Sequence, residues 1–123
     1  MHGLKTIHIR HIYIEDNDIV TVINLLQNAV DANREAGGRL VLLSAKRHGP
    51  AVEIIVEDEG IGIHPKIEGR LFEPFATTKP PGEGTGLGLY ASYMLVQTMD
   101  GDLTIENRDQ RGASARVRLP AGA

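Results

Sequence analysis

RLVLLSAKRHGPAVEIIVED, residues 39 to 58, decides the architecture. Its two β-rich runs, 39 to 47 and 51 to 58, are separated only by His48-Gly49-Pro50, a turn so short that the strands must run antiparallel. Upstream, Glu15-Asp16-Asn17-Asp18 supplies cap-type side chains before a helical pattern with apolar residues at Ile19, Val22, Ile23, Leu26, Ala29 and Val30. That helix is predicted to run to about Ala36, where Gly37-Gly38 ends it. Further upstream, residues 5 to 14 (KTIHIRHIYI) read as a half-buried strand with a bulge between Ile9 and Ile12.

Downstream, residues 59 to 85 hold nine Gly and Pro residues, too many for regular structure, and read as a long functional loop. A second helix is predicted to start near Gly86 and stop at Asp100-Gly101, followed by strands over 102 to 107 and 113 to 119. The order β-α-β-β-loop-α-β-β, with neighbouring strands joined by short turns, implies an α+β two-layer α/β sandwich. Its sheet should be mainly antiparallel or mixed, with the helices on one face.

The chain has 123 residues, 41% hydrophobic and 24% charged, which fits a single globular domain over 1–123. No stretch approaches the roughly 18 apolar residues of a membrane span. A formal charge of -3 with scattered Lys and Arg gives no track for nucleic acid. With no cysteine there is no disulfide framework and no thiol nucleophile, in keeping with a cytoplasmic, reducing setting. The five His residues share no metal-ligand spacing.

Three constellations carry chemistry. Asn24 and Asn28 are one turn apart, so they stack on one helical face, roughly opposite the apolar stripe, with Asp31 a turn on. A solvated polar face is the plain alternative, but Asn is a poor interior helix former. An amide oxygen is a hard neutral ligand suited to Mg²⁺ shared with phosphates. Asp58, before Glu59-Gly60-Ile61-Gly62, sits at the mouth of a strand, where a carboxylate accepts a hydrogen bond from an exocyclic amine; a simple strand-ending turn has the same composition. Gly82-Glu83-Gly84-Thr85-Gly86-Leu87-Gly88-Leu89 runs into a helix and presents backbone N–H groups to an anion. It fits neither the dinucleotide fingerprint nor the nucleotide-triphosphatase P-loop. Lys79 reads either as a point charge for outer phosphates or as a solvated loop lysine, and Phe72 and Phe75 read as the loop's anchor on the core.

Taken in order, NLLQNAVDA (24 to 32), DEGIG (58 to 62), LFEPFATTK (71 to 79), GEGTGLGL (82 to 89) and GASARVRLP (112 to 120) resemble the N box, first Gly box, F box, second Gly box and closing strand of sensor histidine-kinase catalytic domains. The Glu-Pro-Phe and Thr-Thr-Lys wording looks most like the nitrogen-regulation and oxygen-sensing subgroup. The resemblance implies a Bergerat-type ATP-binding fold with ATP and Mg²⁺ as cofactors, Asn28 as the metal ligand and Asp58 on the adenine amine. It places Gly60 and Gly62 at the adenine pocket, Asn24 near the phosphates, Lys79 in the lid and Asp31 among the nucleotide-binding residues. Gly84, Thr85, Gly86, Leu87 and Gly88 would cradle them, with Asn24 and Lys79 at the reacting group.

Related chaperone and gyrase-type ATPases carry a Glu where Asn24 stands. An amide cannot act as that general base, so Asn24 argues for transfer to a protein side chain over hydrolysis. None of His2, His8, His11, His48 and His64 heads the family's acceptor motif, so the resemblance implies a phosphoacceptor His domain elsewhere, on the same or a partner kinase, and a response regulator downstream. The chain then reads as a fragment of a longer sensor kinase, itself cytoplasmic even where its parent is membrane-anchored. Ala113 departs from a Thr common at its position. A non-catalytic nucleotide-binding switch and a serine-directed kinase of the anti-sigma type remain as alternatives.

Overall fold

The computed structural model describes residues 16–76 and 88–120. The strand expected over 5 to 14, the expected helix start at Gly86 and the residues Lys79, Gly84, Thr85, Gly86 and Leu87 lie outside the described residues. Within them the order is α1 (Asp16–Ala36), β1 (Val41–His48), β2 (Ala51–Asp58), α2 (Gly88–Thr98), β3 (Asp102–Asn107) and β4 (Ala113–Pro120).

The hairpin forms as its sequence requires, with His48 paired to Ala51 and only Gly49 and Pro50 in the turn. Gly49 has φ +55, a left-handed conformation that glycine enters at little cost. The four strands form one sheet in the order β1-β2-β4-β3, every pairing antiparallel. Strand β2 therefore lies inside the sheet, and it alternates strictly: Val52, Ile54, Val56 and Asp58 are buried, and the residues between them are half-exposed. Its apolar face, with Leu103, Ala115, Val117 and Leu119 of β3 and β4, packs against Leu25 and Ala29 of α1 and Val96 of α2. The outcome is the α+β two-layer sandwich with an antiparallel sheet and two helices.

Both helices stop by one device. Gly37 adopts φ +71 and Gly38 N–H bonds to Asn33 O at 2.9 Å; Asp100 adopts φ 57 and Gly101 N–H bonds to Val96 O at 3.0 Å. These six-to-one closures satisfy carbonyls the last turn would leave orphaned. Arg111 adds a donor to the end of α1, with Nη2 bonded to Ala36 O at 3.0 Å.

The rotation of α1 differs from the sequence expectation. Thr21, Leu25, Ala29 and Asn33, spaced four apart, are buried, whereas Ile19, Ile23 and Val30 of the expected stripe are 46%, 55% and 38% exposed. Short side chains at Thr21 and Ala29 let the helix approach the sheet along that row. Asn24 and Asn28 consequently flank the buried row, both half-buried, instead of standing opposite it.

The F box divides. Phe72 packs on the core and stacks with Tyr93 of α2, ring centroids 4.8 Å apart. Phe75 anchors nothing among the described residues: it is 71% exposed and held at φ 67, unusual for a bulky side chain.

Candidate functional site

Strand β4 pairs with β2 only as far as Glu57 opposite Ser114, while Asp58 still pairs with Val41 of β1. Past that last pair, side-chain and turn donors take over. Arg108 Nη1 donates to Asp58 O at 2.7 Å; Gly60 N–H and Ala113 N–H both donate to Asp58 Oδ1, at 2.9 and 3.1 Å. Asp58 is 7% exposed, so a buried carboxylate has two backbone donors on one oxygen. No donor to its second oxygen occurs among the described residues, and Asp58 lines a cavity.

The cavity, about 190 Å³, lies between α1, the sheet and the segment after β2. Asn28 and Asp31 form its polar side on α1; Val56, Ile105 and Ala115 floor it; Ile61, Ile63, Ile67 and Leu71 close it with apolar surface. Apolar walls with a few convergent polar groups are the ordinary make-up of a small-molecule site, here wide enough for a flat heterocycle. The Asn28 carboxamide nitrogen is buried without a hydrogen-bond partner among the described residues. Asn28 also lines the cavity, and a carboxamide has an oxygen acceptor as well as that nitrogen.

The structure brings together Asn28, Asp31, Asp58 and Gly62 in one wall. Gly60 lies beneath: a Cβ there would stand 2.5 Å from the Ala32 Cβ, so its bare backbone lets the loop pack on α1. Gly62, at φ +76, is where the chain turns along the wall. Asn24 and Gly88 do not line the described cavity, although Leu89, next to Gly88, does. No group of His, Asp and Glu able to hold a metal by itself occurs among the described residues, so a cation here would have to share its ligands with a bound phosphate.

Sequence reasoning missed four residues that build the site. Asn33, 7% exposed, accepts from Glu59 N–H through Oδ1 at 2.9 Å and donates from Nδ2 to Leu40 O at 3.1 Å. Glu59 Oε1 accepts from Arg39 and Leu40 N–H, both at 3.1 Å. The Arg39 amide, joined by that of Leu40 and by the Arg111 and Arg108 guanidinium groups, holds the Glu59 carboxyl below its ordinary value despite partial desolvation. Asn107 Oδ1 accepts from Ile63 N–H at 2.7 Å, and Arg108 is bonded to Asp58 as described. The same test that singled out Asn24 and Asn28, a poor helix former inside a helix, would have found Asn33. The others make contacts too distant in sequence to leave a local signal.

Residues 19–123 match the family model described as histidine kinase-, DNA gyrase B-, and HSP90-like ATPase. The chain is 49% identical over 107 residues to the two-component sensor PprA of Pseudomonas aeruginosa, covering 83% of this chain and 12% of that protein. It is 33% identical over 98 residues to sporulation kinase A of Bacillus subtilis, covering 80% and 16%. Among solved structures it superposes on the mycobacterial sensor histidine kinase MprB with a TM-score of 0.71 at 28% identity, covering 85% of this chain and 70% of that one. Full-length ShkA in complex with AMPPNP gives 0.67 at 31%, covering 86% and 23%. The chain thus spans less than a fifth of the two curated relatives.

Proposed function

The chain belongs to the histidine kinase-, DNA gyrase B-, and HSP90-like ATPase family, as a catalytic ATPase domain of the sensor histidine kinases, and on that premise we propose how it works. ATP binds with its base against Asp58 and its phosphates toward Asn28 and Asp31. The γ-phosphoryl group then passes to a histidine on a phosphoacceptor domain of the same or a partner kinase, from which a response regulator takes it.

The observation that carries this reading is the half-satisfied Asp58 carboxylate. With Oδ1 occupied by Gly60 and Ala113 N–H, the other oxygen is left as an acceptor. Adenine offers an exocyclic N–H to such an acceptor, whereas guanine presents a carbonyl that it repels. The apolar walls match the two faces of a purine.

At the other end, Asn28 would hold Mg²⁺ through its carboxamide oxygen, with Asp31 beside it. When bound, the ion supplies neutralisation of phosphate charge. Asn24, Lys79 and the backbone of Gly84, Thr85, Gly86, Leu87 and Gly88 would complete the phosphate cradle, as donors and a point charge. In the transfer, an imidazole nitrogen of the acceptor bonds to the γ-phosphorus as the bond to the bridging oxygen breaks and ADP leaves, with no carboxylate base needed. Asn24, an amide, does not activate water in competition.

No helix among the described residues is long and apolar enough to cross a membrane. We place the domain in the cytoplasm, within a longer sensor protein. The test is transfer of label from γ-labelled ATP to a helical acceptor domain. An acid-labile phosphoprotein that requires Mg²⁺ supports the reading, and an acid-stable product points to a serine acceptor. Binding that never yields transfer to any acceptor identifies a switch, and intact transfer by Asn28→Ala removes Asn28 from the metal site.

A further inference from the structure

Asp58 and Glu59 are joined by one peptide group, and both of its ends are held by side chains from other elements. Its carbonyl, Asp58 O, accepts from Arg108 Nη1 at 2.7 Å; its N–H, on Glu59, donates to Asn33 Oδ1 at 2.9 Å. Arg108 comes from the turn between β3 and β4 and Asn33 from the last turns of α1, so the peptide is gripped from opposite sides of the site. Rotating it would break two bonds at once, one of them to a guanidinium.

This matters because the carboxylate is aimed through that peptide. Asp58 Oδ1 takes its bond from Gly60 N–H, two residues on, at 2.9 Å, and the position of that N–H depends on the intervening peptide plane. Both gripping residues are themselves fixed. Asn33 uses its other end on Leu40 O at 3.1 Å, and Arg108 closes its own turn, N–H to Gly112 O at 2.9 Å, with Glu57 Oε2 3.5 Å from its Nε. The Asn33 side chain also fills the space a Cβ on Gly38 would need, 2.7 Å from Oδ1.

We propose that Asn33 and Arg108 are positioning residues for nucleobase selection: by clamping the 58–59 peptide they hold the free Asp58 oxygen in the one direction that meets the exocyclic amine of adenine. Neither touches the nucleotide. The clamp rests on the reading that Asp58 receives that amine, and the experiment separates the two.

Binding of ATP is compared with binding of purine riboside triphosphate, which lacks only the 6-amino group, for the intact chain and its variants. The unaltered chain prefers ATP. Arg108→Met and Asn33→Leu each cut that preference by roughly five- to tenfold, the range expected when a charge-assisted hydrogen bond is loosened. Affinity for the desamino triphosphate stays within about twofold, because the walls are unchanged. Arg108→Lys, which keeps a cationic donor, recovers most of the preference; a merely structural role predicts equal losses for both ligands and no such recovery. Arg108 is partly exposed on a turn, so it carries the test even where Asn33→Leu fails to fold. Wild-type preference retained by Arg108→Met and by any folded Asn33→Leu overturns the clamp alone. Equal binding of the two triphosphates by the unaltered chain, with no change in Asp58→Asn, overturns the base reading and the clamp with it.

Discussion

Gly112→Ala, in the turn before β4, is expected to be more damaging than Gly49→Ala or Gly60→Ala. Gly112 has φ +83, and a Cβ built on it would overlap Asp58 O while lying 2.7 Å from the Asp58 carbonyl carbon and 2.9 Å from Oδ1. Two costs follow. The left-handed conformation costs an alanine about 1–2 kcal/mol. Relieving the overlap means parting the 108–112 turn from the end of β2, since neither side is a flexible side-chain tip. The Arg108 bond to Asp58 O and the Ala113 bond to Oδ1 stretch together, adding about 2–3 kcal/mol. The total is about 4 kcal/mol, a large share of the roughly 5–15 kcal/mol that holds a domain folded. For a chain of this size it corresponds to a fall in melting temperature of roughly 12–20 °C. Two reference variants divide the sum. Gly49→Ala carries the strain alone, with φ +55 and nothing within 4 Å of the new methyl, so about 1–2 kcal/mol. Gly60→Ala carries collision alone, against Ala32, without positive φ. Thermal and urea unfolding of the three, with ATP titration, give the comparison. A Gly112→Ala protein that melts no lower than Gly49→Ala, with unchanged ATP affinity, would refute both the collision and the role of this turn at Asp58.

Glu59→Gln loses the charge-assisted bonds to Arg39 and Leu40 N–H, so the unaltered chain is the more stable of the two at neutral pH. Because the Glu59 carboxyl lies below its ordinary value of 4.5 in the folded state, that advantage is full above 4.5 and disappears as pH falls through the lower folded value; paired unfolding curves between pH 7 and 3 check it, and a pH-independent gap contradicts it. Thr21 Oγ1 on α1 and Ser92 Oγ on α2 are buried without partners among the described residues, so Thr21→Val and Ser92→Ala should be neutral or stabilising by up to about 1 kcal/mol in urea unfolding. A loss above that size means that each hydroxyl is satisfied in solution. Asp100→Gly relieves a left-handed residue at the end of α2 and should raise stability by about 0.5–1 kcal/mol, read as a shift in denaturation midpoint with unchanged slope.

The elements were legible because their signals are local. Alternation in 51 to 58, turn chemistry at Gly49-Pro50 and glycine after Ala36 each act over a few residues, and the described strands and the C-terminal ends of both helices fall within two residues of expectation. The rotation of α1 was not, since the helix carries apolar residues on more than one face and only the sheet chooses among them. For the site, Asn28, Asp31, Asp58 and Gly62 line one cavity. The long-range bonds around the cavity were hidden, because Asn33, Asn107 and Arg108 act on partners 26, 44 and 50 positions away, where one chain's pattern holds no record of the pairing.

The interior place of β2 has a consequence for how the domain is made. On a ribosome the hairpin of β1 and β2 is available as soon as Asp58 emerges, but Ala113, the second donor to its carboxylate, lies 55 positions later, roughly 3–11 s of synthesis. Throughout that interval β2 has one unpaired edge and presents Val52, Ile54 and Val56 without the core residues of α2, β3 and β4. An open edge beside an apolar face is the surface on which nascent chains associate wrongly. The strand that ends in Asp58 is therefore also the one most in need of shelter before β4 arrives, and slowing translation between residues 58 and 113 should cost soluble yield even though no residue has changed.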